Sequence, residues 1–431
     1  MNRRRALIVT GAVLASLTAA CTSGGGNHTA TPAAATSASG APKLAIDTTA
    51  TGMKVGLVVS SSGPGADVRD LASGAYVAAF RLNGAKSGTD HVQLVVKDDN
   101  GTPEGATAAI NELHDAGVVG VVYGSTGEQT LAAAATAAGA GLPVVFPYAD
   151  DSRVTAQGAT SFLGAPTVDQ VAKQFAEHIT KANLGTVALL RQSGAYGDEG
   201  KAALAAAGVN VALDQPFAAG DALAATAKAV AAAKPGAVIV WAEAAPAVAA
   251  ADALSTAGVE ATLLFADRAA VPAFGKLVAG ALTPPVSDGV LSVGSWAGPD
   301  TPTKAVDAFF LARDAVVADG ATTADLSSAD FRSHDAVLAL VAAATASSSP
   351  AGVTDAMRDL SPDIAGAAGV PLDFHNAAAV ADKDVALLSY STADDGSGRY
   401  LPKTSGGHWL AVTGTYELPD ALKGLDNPYG G

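Results

Sequence analysis

"VVGVVYGSTGEQTLAAAATAAGAGLPVVFPYADD", Val118 to Asp151, decides the fold. Two apolar runs, Val118–Val122 and Leu142–Pro147, flank a small-residue stretch, Leu131–Ala140, that reads as a helix. A strand, a helix and a strand in that order make a parallel pair, because parallel neighbours need a crossover between them. The runs are continuous rather than alternating, as expected of strands covered on both faces. Between the first strand and the helix stands Gly124-Ser125-Thr126-Gly127. Glycines let backbone approach closely and hydroxyls donate hydrogen bonds, so the turn is a candidate grip for a phosphate, an acyl group or a bound ligand.

The same alternation extends in both directions. Upstream lie the strand "KVGLVV" (Lys54 to Val59) and a helix with Val68, Leu71, Ala75, Ala78, Ala79 and Leu82 at helical spacing. The strand "HVQLVVKDD" and the helix "TPEGATAAINELHDAG" follow, the helix with Pro103 in its first turn and Gly117 at its end. Downstream a second series begins at "TVALLRQ" (Thr186 to Gln192). It runs through "VNVALDQ", "GAVIVWA" (Gly236 to Ala242) and "EATLLFAD" (Glu260 to Asp267), with helices between. A strand "DGVLSVGS", helices over Thr303–Asp319 and Phe331–Ser347, and a strand- and turn-rich segment from about Leu372 complete the chain. The fold class is α/β, with two similar lobes built on central parallel sheets.

The chain has 431 residues, enough for two ordinary domains, and carries a formal charge of −15. That charge argues against a nucleic-acid partner, which needs basic patches, and favours solubility. Residues 1–20 are not part of the fold. Met1-Asn2-Arg3-Arg4-Arg5 is a basic leader, and Ala6–Ala20 is an apolar run too short to span a bilayer comfortably, as in a signal peptide. It ends at "LTAAC", where Cys21 is the only cysteine. Residues 21–52 are rich in Ser, Thr, Ala, Gly and Pro and read as a flexible tether.

Several chemistries are missing from the pattern. "YGSTGEQT" has no lysine after its second glycine, and no G-x-G-x-x-G occurs with it. Neither Ser125 nor Ser60–Ser62 sits in a G-x-S-x-G elbow. The seven histidines are scattered without metal-ligand spacing. No catalytic residue, metal or cofactor is therefore expected, and the chain is not read as an enzyme.

In open parallel sheets, ligands lie beyond the carboxyl ends of the strands. Those ends are Ser60–Gly63, Asp98–Asn100, Gly124–Glu128 and Tyr148–Asp151 in the first series. In the second they are Ser193–Tyr196, Trp241–Glu243 and Asp267–Arg268. Each has a plainer reading. Ser125 and Thr126 are ligand donors or helix caps. Tyr196 and Trp241 are ligand contacts or lobe packing. Asp150 and Asp151 are ligand contacts, caps or loop acids, Asp98 and Asp99 hold the next turn or a ligand, and Glu243 is solvated or part of the site.

The "SGP" after strand one, "DD" after strand two, the strand "LPVVFP", "SGAYGDEG" (193–200) and "SHDAVLAL" (333–340) together resemble the leucine/branched-chain amino acid-binding family. These are type I periplasmic solute-binding proteins of ABC importers. The resemblance covers roughly Lys54 to Tyr400. "LTAAC" likewise resembles a bacterial lipobox, with Thr18 where a leucine is usual, which implies diacylation at Cys21 and a palmitate-bearing membrane anchor. Each buried methylene of such a chain contributes about 0.8 kcal/mol.

The resemblance implies two Rossmann-like lobes joined by three crossings near 166, 285 and 365. Lobe one is then 53–165 plus 286–364, lobe two 166–285 plus 365–405, and 406–431 a tail. It implies a ligand held by Ser62, Ser125, Thr126, Gly127, Tyr148, Ala149 and Asp150 from lobe one, and by Tyr196, Trp241 and Asp267 from lobe two. Its implied partners are a small polar solute, a membrane permease and the membrane itself through the lipid, with the protein a monomer. Two acids depart from the pattern. Asp150 stands where amino-acid binders carry Thr or Ser, and Glu128 sits in the carboxylate-holding turn. Like charges 4 Å apart cost about 1 kcal/mol in water and several near a protein surface. Unless these side chains point away, a neutral amide, a urea-like compound or a cation fits better than a carboxylate. A sensor or envelope scaffold without import is the alternative of a different class. Permease and ATPase genes beside the gene would favour import.

Overall fold

Strand β1 (Met53–Val59) lies between β2 (Val92–Asp98) and β3 (Val121–Gly124) and runs parallel to both. Val55, Leu57 and Val59 pack into one cluster and Val58 into the opposite one, so both faces of the strand are covered. This is a computed structural model, and it describes residues 52–63, 73–84, 92–269, 290–294, 328–347, 349–360, 372–382, 385–391 and 408–411. The leader, Cys21, the tether and the helix expected over 303–319 lie outside the described residues.

β4 (Val144–Phe146) and β5 (Ser161–Leu163) complete a five-stranded parallel sheet in the order β2-β1-β3-β4-β5. Its helices are α1 (Ser73–Gly84), α2 (Pro103–Asp115), α3 (Glu128–Ala140) and the short α4 (Ser152–Ala156). Local signals set α2. Thr102 caps it by accepting from the Gly105 N–H at 3.0 Å, and Pro103 opens the first turn. Ala106, Ala109, Ile110 and Leu113, three and four apart, form its buried face. Gly105 has no room for a side chain, since a Cβ there would lie 1.9 Å from the Asp99 carbonyl oxygen.

The second sheet has seven strands: β6 (Val187–Gln192), β7 (Val211–Phe217), β8 (Ala237–Trp241), β9 (Thr262–Phe265), β10 (Val290–Gly294), β11 (Ala386–Ser391) and β12 (His408–Ala411). Their order is β12-β11-β10-β9-β8-β6-β7. The strands from β10 to β7 are parallel, whereas β11 runs antiparallel to β10 and β12 antiparallel to β11. Helices α5 (Val168–Lys181), α6 (Ala195–Ala206), α7 (Ala224–Ala233) and α8 (Ala244–Thr256) belong to this lobe. α9 (Ser328–Ala346) returns to the first lobe, against α1 and β3, and α10 (Pro350–Asp359) packs on α9. Among the described residues no single helix is long and apolar enough to cross a membrane.

The crossings correct the sequence-based boundaries. A division at 285 puts Val290–Gly294 in lobe one, but β10 pairs with β9 and β11 in the second sheet. By α9 the chain is back in the first lobe. A division at 365 puts 372–379 in lobe two, yet that segment edges the first sheet. The Leu163 N–H donates to Ala377 O at 2.7 Å, the Ala379 N–H donates to Leu163 O at 2.8 Å, and Phe374 meets Phe162 edge-on. Val380 and Val385 then enter the core of the second lobe. His408–Ala411, within the 406–431 tail, is that lobe's edge strand. Periodicity identifies an element but carries no information about which sheet it joins, and that is the origin of the differences at 285 and 365. The first and last crossings run side by side, tied by the Gln170 side chain donating to Val380 O at 2.8 Å and to Asp382 at 2.9 Å.

Candidate ligand-binding site

The rim of the first sheet begins with a buried hydrogen-bond network. Asp99 accepts from Ser60 Oγ at 2.6 Å, from Tyr123 OH at 2.7 Å and from the Gly101 N–H at 2.8 Å. Ser125 Oγ pairs with Ser60 Oγ at 2.6 Å and accepts from Gln129 Nε2 at 3.2 Å. Ser125 is fully buried, so its hydroxyl serves the lobe and neither caps α3 nor faces the cleft. Thr126 is also buried and caps nothing, because α3 is entered through Gly127 at φ +87° with no side-chain cap. Ser62 turns outward and donates to Asp98 at 2.9 Å and to Asn100 at 2.8 Å. Asp98 and Asp99 thus hold the turn after β2, the plainer of their two readings.

The two rims meet at Arg268, in the 3-10 turn Asp267–Ala269 that follows β9. Its Nε and Nη2 donate to Asp150 Oδ1 of the first lobe at 3.0 and 2.5 Å. Its Nη1 donates to Glu243 Oε1 at 2.7 Å, and its guanidinium lies 3.7 Å from the centre of the Tyr196 ring. Tyr148 OH of the first lobe donates to the Arg268 carbonyl oxygen. The side chain is 7 % exposed and Asp150 is fully buried. Burial opposes the Arg268 charge, but Asp150 and Glu243 overcome it and raise its pKa well above the ordinary value. The strand ends after β4 and β9 had each shown acids; the missing piece was the cation between them. Its signal, an arginine next to Asp267 on an acidic rim, is visible in the sequence, but its partner lies 118 positions away.

A cavity of about 250 Å³ opens beside Arg268, between the rims. Gly127, Glu128 and Arg153 line it from the first lobe, and Gly194, Tyr196 and Glu243 from the second. Arg153 bonds Asp151 through Nε and Nη2 and reaches Glu128 at 3.3 Å. It also crosses to Glu199 on α6 at 3.0 Å. Glu128 is exposed, its carboxylate turned toward Arg153, and does not stand unopposed in the turn. Asp151 caps α4 through the Arg153 N–H.

Of the residues implicated by sequence, Gly127 and Tyr196 line the cavity, and Asp150 lies behind Arg268. Tyr148 is buried with its hydroxyl on the Arg268 carbonyl. Ala149 packs into the core of the first lobe. Asp267 is buried within reach of the Tyr196 hydroxyl, 3.4 Å away. Trp241 does not reach the cavity. It is fully buried in the second lobe, edge-on to Phe175 and tilted against Tyr196. Alternation along β8 turns it inward. His334, buried on α9, bonds Arg81 at 2.8 Å and Asp335 at 2.7 Å. Among the described residues no group of three or more His, Cys, Asp or Glu side chains is placed to hold a metal ion.

Burial, and then the Asp150 charge, push the Asp267 pKa well above the ordinary 3.8, while Arg268 and Arg332 pull it down less. The folded state therefore binds this proton more tightly than the unfolded chain. Asp267's contribution to stability is complete at low pH and is lost as pH rises from about 4 toward the folded value. Asp267→Asn removes that loss. The variant is expected to be more stable than wild type at about pH 8, with the gap closing toward about pH 4. Each tenfold difference in proton affinity between the folded and unfolded states contributes about 1.4 kcal/mol to that gap. Urea unfolding across that range measures it, and identical pH profiles would show an ionised Asp267.

The sequence profile of the periplasmic binding protein family matches residues 52–396. The chain is a periplasmic binding protein. That family consists of solute binders rather than enzymes and works outside the cytoplasm. No curated protein matches this periplasmic binding protein. Solved structures do. LivJ of Streptococcus pneumoniae, a branched-chain amino acid transporter substrate-binding protein in complex with isoleucine, is 18% identical at TM-score 0.69, covering 84% of this chain and 99% of its own. An extracellular ligand-binding receptor of Rhodopseudomonas palustris HaA2 is 20% identical at TM-score 0.65 over the same shares. A solute-binding protein of an R. palustris ABC transporter, in complex with 4-hydroxybenzoate, is 16% identical at TM-score 0.65, covering 79% of this chain and 94% of its own. These similarities establish the shared two-lobed α/β fold.

Proposed function

We propose that this periplasmic binding protein is a lipoprotein, anchored through acylated Cys21 on the extracytoplasmic face of the membrane. It captures a small polar solute, an amino acid, amide or urea-like compound, and delivers it to an ABC importer. The cavity between the rims carries this reading, because both lobes line it and a solute there is gripped from two sides. Adjacent crossings at 164–167 and 380–382 give the lobes a hinge. The amino-acid and aromatic-acid complexes of LivJ and the R. palustris protein show that this fold accepts solutes of that size.

A thermal-shift screen of the soluble domain against amino acids, amides, urea and amines is expected to give at least one stabilising solute. A ligand at about 100 times its Kd adds about 2.7 kcal/mol to the native state. Silence across the whole panel would overturn solute binding. The anchor has its own test: wild-type cells fed labelled palmitate should label the protein, and Cys21→Ser should lose the label and leave the membrane fraction. Membrane retention of the unlabelled variant would place the anchor elsewhere.

A further inference from the structure

We propose that two copies of this protein pair through the outer face of the second lobe, in place of the monomer that the family resemblance implies. In this pair, α5 of one copy lies antiparallel to α5 of the other.

A groove of about 810 Å³ runs between α5 and α6 on that face. It is separate from the cleft. Ala203 and Ala206 line it from the end of α6, about two turns beyond Tyr196 at the cavity. Asp169, Lys173, Glu177 and Lys181 line it from α5, and all four are exposed. The α6 wall is made of methyl groups, so a second helix can come close and cover it.

The charges choose the occupant. Residues four apart fall on one stripe of a helix. Along α5 the stripe reads negative, positive, negative, positive, with successive charges about 6 Å apart. An antiparallel copy presents the complement. Asp169 then faces the second copy's Lys181, Lys173 faces its Glu177, and the two-fold axis repeats both contacts. A parallel copy would set like charge on like. A surface complementary to its own two-fold copy is what an isologous dimer requires. The axis passes beside Ala176, which also lines the groove and leaves the two helices room to approach.

The same spacing would allow ion pairs within the helix, but α5 does not form them. Lys173 reaches Asp382 at 2.8 Å instead of Asp169. Among the described residues, Asp169, Glu177 and Lys181 make no ion pair. An ammonium has three N–H groups, so Lys173 can keep Asp382 and still meet a second copy's Glu177.

The face is small. Helices of 14 and 12 residues lying side by side cover about 20 by 20 Å. That is below the about 800 Å² per partner of a standard stable interface, so the dimer is weak, with a Kd of about 10–100 µM. Pairing through the second lobe leaves the cleft uncovered and the first lobe free to move on its hinge.

Sedimentation equilibrium of Cys21→Ser protein, which lacks the acylation site, tests the pairing over about 5–500 µM. A monomer–dimer equilibrium is expected, weakening as salt is raised from about 0.05 to 0.5 M, because exposed ion pairs are screened. Lys181→Glu sets a carboxylate against the second copy's Asp169 twice per dimer and should weaken association at least about tenfold. Adding Asp169→Lys should restore it. Both substitutions reverse a charge near a helix end, so Ala206→Trp gives an independent arm. It fills the groove from an exposed position and should abolish the dimer. A protein that stays monomeric over the whole range at low salt overturns the proposal. So does a dimer that Lys181→Glu and Ala206→Trp leave intact, since it uses another face. Loss in both variants without rescue by Asp169→Lys overturns the antiparallel pairing.

Discussion

Trp241→Ala is expected to lose about 3–5 kcal/mol of stability, the range for truncating a large buried aromatic ring. Trp241 is fully buried at the centre of the second lobe. Its ring centre lies 6.2 Å from that of Phe175, edge-on, and 6.0 Å from that of Tyr196. On the other side α6 approaches so closely that a Cβ on Gly200 would come within 2.3 Å of the indole. A void there has rigid walls, a helix backbone and a sheet, so it collapses poorly. The indole Nε1 has no hydrogen-bond partner, and a buried unpaired donor costs about 1–3 kcal/mol. Trp241→Phe therefore removes an unfavourable group as well as some volume, and should cost much less than the alanine variant. A ligand contact would reverse the pattern, with affinity falling and stability nearly unchanged. Urea unfolding of the two variants decides, and a stable Trp241→Ala protein would remove the packing account.

Trp241 also shows where sequence reasoning stops. Its place at the end of β8 was legible, because "GAVIVW" is a continuous apolar run and ligands gather at strand ends. Which side of the sheet the ring takes depends on a parity fixed by packing against α5 and α6. The α2 helix was legible almost to the residue because its signals are local: Thr102, Pro103, an apolar stripe and Gly117. The sheet assignment of β10 was not, since pairing is chosen in three dimensions. The acids of the cleft follow the same division. Asp150 and Glu128 read as lone charges facing a ligand, and the like-charge argument followed from that. Each has a guanidinium partner, Arg268 for one and Arg153 for the other. Arg153 stands 25 positions from Glu128 and Arg268 118 from Asp150, and no spacing rule links either pair. Ser125 likewise matched a ligand donor in type and place, but its hydrogen bonds go to Ser60 and Gln129 of its own lobe.

The Asp150–Arg268 pair is the contact whose loss should change the molecule most. Arg268→Met keeps much of the side-chain volume and removes the charge. Breaking a buried pair by deleting one partner costs about 3–5 kcal/mol, because the remaining charge is left uncompensated. Glu243, 31 % exposed and at the start of α8, is solvated in place. Asp150 is fully buried, and its route to water is separation of the lobes. The expected result is thus a split one. Arg268→Met should show a larger radius of gyration in small-angle scattering, with each lobe still cooperatively folded in urea. Adding Asp150→Leu should also close the lobes, since replacing both members of a buried ion pair by apolar groups is often neutral or stabilising. The double-mutant cycle then yields a coupling energy that neither single variant gives alone. An Arg268→Met protein with wild-type radius and stability would mean that closure rests on other contacts, with Arg153–Glu199 and Tyr148 the next to remove.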